Sequence, residues 1–95
     1  MSIAFHPAAL RELEEVSAYY EERLPGLGSQ FLDEMQALLG TLDDNPLIGR
    51  PGCHQTRSMP LPRFPFLVVY RVNGTRLVVL ALAHYRRRPG YWGGR

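Results

Sequence analysis

Ninety-five residues and 10.8 kDa leave room for one hydrophobic core and no second domain, and 45% hydrophobic with 21% charged residues marks a folding chain rather than a disordered one. The net charge of +2 conceals a segregation of sign: residues 1–45 hold all nine acids and two arginines (−7), whereas residues 46–95 hold nine arginines and no acid (+9). The longest apolar run, Leu77–Ala83, falls far short of a membrane span, the first residues lack the order of a signal peptide, and a lone Cys53 excludes an internal disulfide or thiolate metal cluster, so a cytoplasmic protein with no metal and no cofactor is expected.

Ile3 and Phe5 alternate within Ser2–Phe5 and predict a short edge strand. His6-Pro7 opens a helix, with proline at the first helical position where its missing N–H costs nothing. Leu10, Leu13, Val16, Tyr20 and Leu24 recur at helical spacing, and Arg11, Glu14, Glu15, Glu21 and Glu22 fall mostly on other faces. Pro25-Gly26-Leu27-Gly28 breaks this helix. A second period of Leu27, Phe31, Met35, Leu38 and Leu42 runs to Asn45-Pro46. So short a link makes the two helices an antiparallel hairpin.

Residues 46–56, rich in proline, glycine and polar groups, read as a loop. Arg57–Leu61 is a strand whose Pro60 belongs at an edge or a bulge. Phe64–Val72 and Arg76–His84 are strands of Val, Leu and aromatics, joined by Asn73-Gly74, a strong hairpin signal. The expected fold is α+β, in the order β-α-α-β-β-β, with the helical hairpin packed on one face of a small, mainly antiparallel sheet. A two-residue turn at Asn73-Gly74 sets Val72 opposite Thr75, Arg71 opposite Arg76, Val69 opposite Val78 and Arg63 opposite His84. Two guanidinium groups across one ladder repel, so either an anion lies near them or both splay into water.

All eleven cations are arginine, permanently charged, planar forks suited to carboxylate or phosphate and unsuited to act as a general base. A half-chain without carboxylates leaves its arginines to water, to the acidic half or to an anionic partner. The closing stretch AHYRRRPGYWGGR, residues 83–95, sharpens the choice. It is either a contact element, with Arg86, Arg87 and Arg88 for anionic groups and Tyr91 and Trp92 as rigid anchors, or a flap whose aromatic pair seals the core while its arginines meet Glu14, Glu15 or Glu21.

Several stretches carry a family resemblance: FHPAALRELEEVSAYYEERLPGLGSQFLDEM for the hairpin, DDNPLIGRPG after it, then RSMPLPRFPFLVVYRV and LVVLALAHYRRRPGYW. Across nearly the whole chain they resemble the RelE/ParE superfamily, the toxins of bacterial type II toxin-antitoxin systems. The Pro-Gly-Leu-Gly link and the Tyr70-Arg71 and His84-Tyr85-Arg86-Arg87 clusters are most similar to the ParE, plasmid-stabilisation branch. The resemblance implies a toxin silenced by a cognate antitoxin that lays an extended and helical segment along it, and the basic second half of the chain calls for that segment to be acidic. In the ParE branch it further implies binding to DNA gyrase, trapping the enzyme on cleaved DNA, and in the RelE branch ribosome-dependent cleavage of mRNA.

The chemistry of the residues weighs these alternatives. Cleavage through a ribose 2′-hydroxyl needs a base, a cation for the charge on phosphorus and an acid for the leaving oxygen. Arginine supplies the cation, but no Asp, Glu or Lys follows Asp44. His84 is similar to the C-terminal histidine of one nuclease branch without that branch's glutamate partner, His54 sits in a loop, and Tyr85 or Tyr91 needs strong activation. A metal-independent nuclease therefore rests on His84, Arg63 and Tyr85. His84 reads more simply as a strand-end histidine satisfied by the backbone or packed against Arg63. Gyrase binding asks only for an exposed element, and the residues expected to touch target or antitoxin are Arg57, Arg63, Arg71, Arg76, Arg86, Arg87, Arg88, Tyr91 and Trp92.

Overall fold

In the computed structural model, which describes residues 1–95, proline and glycine punctuate the helices where their chemistry requires. Helix α1 is Pro7–Arg23, opened by His6, whose Nδ1 accepts the Ala8 N–H at 3.0 Å. It closes as Leu24 N–H bonds to the Tyr20 carbonyl, and Gly26, at φ +91°, turns the chain into α2, Leu27–Asp44. Glu21 of α1 fastens this link. Its carboxylate accepts the N–H groups of Gly26 (2.9 Å) and Gly28 (3.0 Å), filling orphan donors at the start of α2 with a negative charge. The buried side chains of α2, Phe31, Met35, Leu38 and Leu42, form one stripe in the core against the sheet, and buried Gly28 lies against α1. No helix is long and apolar enough to cross a membrane.

Five strands follow the order β1-β5-β4-β3-β2: β1 (Ser2–Phe5), β2 (Arg50–Pro51), β3 (Arg57–Pro60), β4 (Phe66–Asn73) and β5 (Arg76–His84). Only β1 runs parallel to its neighbour, pairing with Arg76–Val79 of β5, and the other pairs are antiparallel. Alternation splits the side chains between two faces. Phe66, Val68, Tyr70, Leu77, Val79 and Leu82 join Ala9, Phe31, Met35, Leu38, Leu42 and Leu61 in the main core under the helices. Tyr20, Phe31, Phe64 and Phe66 form an aromatic cluster within it, with centroids 5.0–6.5 Å apart. The opposite face is the small group Val69, Ala81 and Ala83, covered by Leu67, Tyr91 and Trp92.

The structure corrects the sequence reading at two places. The stretch 46–56 is not only loop: it contains β2 and a 3-10 turn at Cys53–Gln55. The hairpin turn is centred on Gly74-Thr75, with Asn73 paired to Arg76. Gly74 takes the positive φ of +62° at the first central position, as a type II′ turn requires, and Thr75 needs none. Val72 consequently faces Leu77, Arg71 faces Val78, and His84 faces Phe66 rather than Arg63. The expected repulsion between Arg71 and Arg76 does not arise. Farther along, Val69 pairs with Ala81 and Tyr70 with Val79, so Leu80 bulges out of the ladder. Pro60 sits where its missing N–H does no harm, because β2 pairs only with Arg57 and Ser58 of β3.

Candidate functional site

Of the eleven arginines, two reach carboxylates: Arg63 pairs with Glu34 (3.5 Å) and Arg95 with Glu12 (2.9 Å). Two others are held by backbone oxygens. Arg57 donates to the carbonyls of Leu47 (3.1 Å) and Gly49 (2.9 Å), and Arg71 closes its fork on the carbonyl of His54 (3.2 and 2.8 Å). The loop after α2 is thereby stapled to the sheet, with Tyr70 as the second staple. Its hydroxyl accepts the Gly49 N–H at 2.9 Å and donates to the Pro46 carbonyl at 2.8 Å. Burial pushes the Tyr70 phenol up, against the opposing pull of the Gly49 bond and Arg57. His54 and Gln55, both at positive φ near +58°, carry the chain over Arg71, and the His54 ring packs against Gly93.

The remaining arginines of the basic half face outward. Arg50, Arg76, Arg86, Arg87 and Arg88 are exposed, and none pairs with a carboxylate. Arg87 lies over the Tyr91 ring at 3.9 Å. The turn that carries Arg86–Arg88 starts from fixed points, since Tyr85 N–H bonds to the Pro65 carbonyl, Arg86 N–H to His84 Nδ1 and Arg87 N–H to the His84 carbonyl, all near 3 Å.

Tyr91 and Trp92 are folded back on the outer sheet face rather than extended into solvent, and the ion pair that secures them is not the one expected. It joins Arg95 to Glu12, not Arg86–Arg88 to Glu14, Glu15 or Glu21. Glu12 accepts four bonds: from Leu82 N–H (3.1 Å), from the Tyr91 hydroxyl (2.8 Å) and from both terminal nitrogens of Arg95 (2.9 and 3.1 Å). Burial pushes the Glu12 carboxyl up, but the Arg95 fork, the Leu82 N–H and the Tyr91 hydroxyl outweigh it, leaving it below its usual range. Burial and the neighbouring carboxylate together push the Tyr91 phenol up to about 12. Sequence reasoning missed Glu12 and Arg95, because 83 positions separate them and neither stands in a local motif.

The residues considered for nuclease chemistry are not gathered in one cleft. His84 stacks edge-on against Phe66 at 5.1 Å and lines a groove with Glu15, Val16, Tyr19 and Tyr20. Arg63, paired with Glu34, lines a different one with Gln30, Asp33 and Pro62. Tyr85 is exposed beyond the end of β5.

A helical hairpin on a mixed sheet, with a folded-back closing segment and five exposed arginines of the basic half free of carboxylate partners, defines a small α+β protein. Comparison with known proteins narrows the class. The family model described as the ParE toxin of the type II toxin-antitoxin system parDE matches residues 3–89. A protein named as a toxin, Y4kP of Sinorhizobium fredii (strain NBRC 101917 / NGR234), is 32% identical over 82 residues, covering 85% of each chain. A chain of the chromosomal ParDE toxin-antitoxin system from P. aeruginosa has the same fold, with a TM-score of 0.65 at 23% identity, over 88% of this chain and 95% of that one. The chain belongs to the ParE toxin family and is the toxin component of a type II toxin-antitoxin system, which implies an antitoxin partner.

Proposed function

We propose that this toxin acts by binding DNA gyrase, with the Arg86–Arg88 turn as its principal contact, and that an acidic segment of the antitoxin silences it by occupying the exposed arginines. The observation that carries this reading is the surplus of unspent positive charge: nine of eleven arginines have no carboxylate partner, and Arg86, Arg87 and Arg88 stand together on one anchored turn. Charge of this kind steers an anionic partner and fixes its orientation. Arg50 and Arg76 extend the same supply, whereas Arg57 and Arg71 are already engaged with loop carbonyls. The separation of His84 from Arg63 favours binding over ribonuclease chemistry, which needs base and cation on one phosphate.

The test is a supercoiling assay with purified toxin and gyrase. Inhibition at micromolar toxin, relieved by an Arg86→Ala/Arg87→Ala/Arg88→Ala variant, is expected. Undisturbed supercoiling, together with codon-internal cuts in translated message mapped by primer extension, would replace this reading with the RelE-like one.

A further inference from the structure

Strand β1 ends at its pairing with Val79, and its chain leaves for α1 with the His6 N–H on the Val79 carbonyl at 2.8 Å. Beyond that point β5 has no strand on this side, and side chains take the place of one. Arg95 donates to the Leu80 carbonyl (2.9 Å), Glu12 accepts from the Leu82 N–H (3.1 Å), and the Tyr91 hydroxyl lies 3.3 Å from the Leu82 carbonyl. Arg95 and the Tyr91 hydroxyl both also donate to the Glu12 carboxylate. An open sheet edge, a bulge and the closing segment are thus joined through a single carboxylate.

We infer that Glu12 is a positioning residue for the Arg86–Arg88 turn: by fastening residues 91–95 to the open edge of β5, it holds that turn in its target-binding conformation. The inference rests on the gyrase reading above. The turn lies between two anchors, the His84 bonds before it and the Glu12 cluster after it, and Arg87 ties it to the second by stacking on Tyr91. The second anchor is by far the more remote in sequence.

Docking of the segment is not secured by apolar contact alone. Trp92 rests on Val69, Ala81 and Ala83, where two alanines make room for the indole, but its buried Nε1–H has no partner. Leaving that donor unmet opposes docking. The charge-assisted bonds at Glu12 are the interactions placed to offset it. With the carboxylate gone, the segment comes away, and the three arginines must be ordered again at the moment of binding.

The experiment uses the full chain with Glu12→Gln. Trp92 is the only tryptophan, so its emission reports docking directly, and far-UV circular dichroism reports the fold. The expected result is a red-shifted emission, an intact helix signal, and affinity for purified gyrase about tenfold weaker than wild type. Arg95→Gln opens the same cluster from its other end without touching α1, so it serves if Glu12→Gln fails to fold, and the same outcome is expected. Arg95→Lys, which keeps the charge and loses the fork, should fall between. Three outcomes count against the claim. A released Trp92 with unchanged gyrase affinity leaves Glu12 a purely structural role, and an unshifted Trp92 shows that Glu12 does not hold the segment. Absence of gyrase binding by the wild-type protein removes the gyrase reading itself, and the positioning role with it.

Discussion

Two glycines of α2 give the same substitution opposite signs. At Gly40 an added Cβ meets nothing within 4 Å, so Gly40→Ala brings only the advantage of alanine in a helix, about 0.5–1 kcal/mol. At Gly28 the same Cβ would lie 2.7 Å from the Ser17 carbonyl oxygen, 2.9 Å from Glu21 Oε1 and 3.0 Å from Glu21 Cβ. The carbonyl belongs to the middle of α1 and cannot retreat unless the helices part. The Glu21 carboxylate is equally constrained, because it accepts the N–H groups of both Gly26 and Gly28.

Relieving the overlap costs about 1–3 kcal/mol of overpacking, and weakening one bond to a charged acceptor adds about 1.5–3 kcal/mol. After the gain from alanine, the net loss is about 1.5–5.5 kcal/mol. One kcal/mol moves the midpoint of a chain of this size by about 4–8 °C. Gly40→Ala should therefore melt a few degrees above wild type and Gly28→Ala at least about 6 °C below it, by circular dichroism with parallel urea titrations. If Gly28→Ala melts at or above wild type, the helices do not approach as described, and the capping role of Glu21 goes with them.

Gly49→Ala drives its Cβ into the Tyr70 ring, 2.7 Å from Cε1 and 2.9 Å from Cζ. It should cost about 2–4 kcal/mol and Tyr70→Phe about 1–3 kcal/mol in urea denaturation, because each strands buried polar groups. Glu12, held below its ordinary 4.5 by its bonds, contributes stability above that pH and loses it as pH falls through the folded value. Acidification should therefore shift wild-type Trp92 emission toward that of Glu12→Gln and leave the variant unmoved. Tyr91 gives the alkaline counterpart, stabilising fully below 10 and losing its contribution as pH rises through about 12. Finally, an acidic peptide titrated onto the toxin should bind with affinity that falls steeply as salt rises, and calorimetry showing no salt dependence would remove electrostatics from the proposed contact.

What could be read from the sequence was whatever depends on neighbours along the chain. Pro7, Pro25-Gly26 and Asn45-Pro46 bound the helices because their effects are local, and the Val- and Leu-rich run Arg76–His84 is strand β5 to the residue. Register was less legible, since Gly74 can occupy either central position of a two-residue turn and the choice shifts every pair in the ladder. Between the turn and Val79 the shift is by two residues and each side chain keeps its face, but the Leu80 bulge makes it three, which turns Leu82 into the main core and Ala81 and Ala83 onto the opposite face. The Leu80 bulge and the two-residue β2 have no composition of their own. The fold-back of Tyr91 and Trp92 stood as one of two readings of the closing stretch, but its fastening to Glu12 depends on a contact between the two ends of the chain that no local pattern marks.

The segregation of charge does not resolve itself within the molecule. Of the nine acids, Glu34 and Glu12 each meet one arginine, Asp43 meets the N-terminal amine, and Glu21 serves the helix link. The helical layer thus keeps most of its carboxylates in water, and the far side keeps its guanidinium groups. An acidic antitoxin segment and the toxin's target would then draw on the same few arginines, chiefly Arg86–Arg88. On the proposed reading, one partner would exclude the other through shared charge, with no change of fold required. Glu12 sits at the boundary between the two layers. It is the acid of the helical side that fastens residues 91–95 to β5, which is why, on the positioning role proposed for it, a change there should alter target binding more than its distance from the arginine turn suggests.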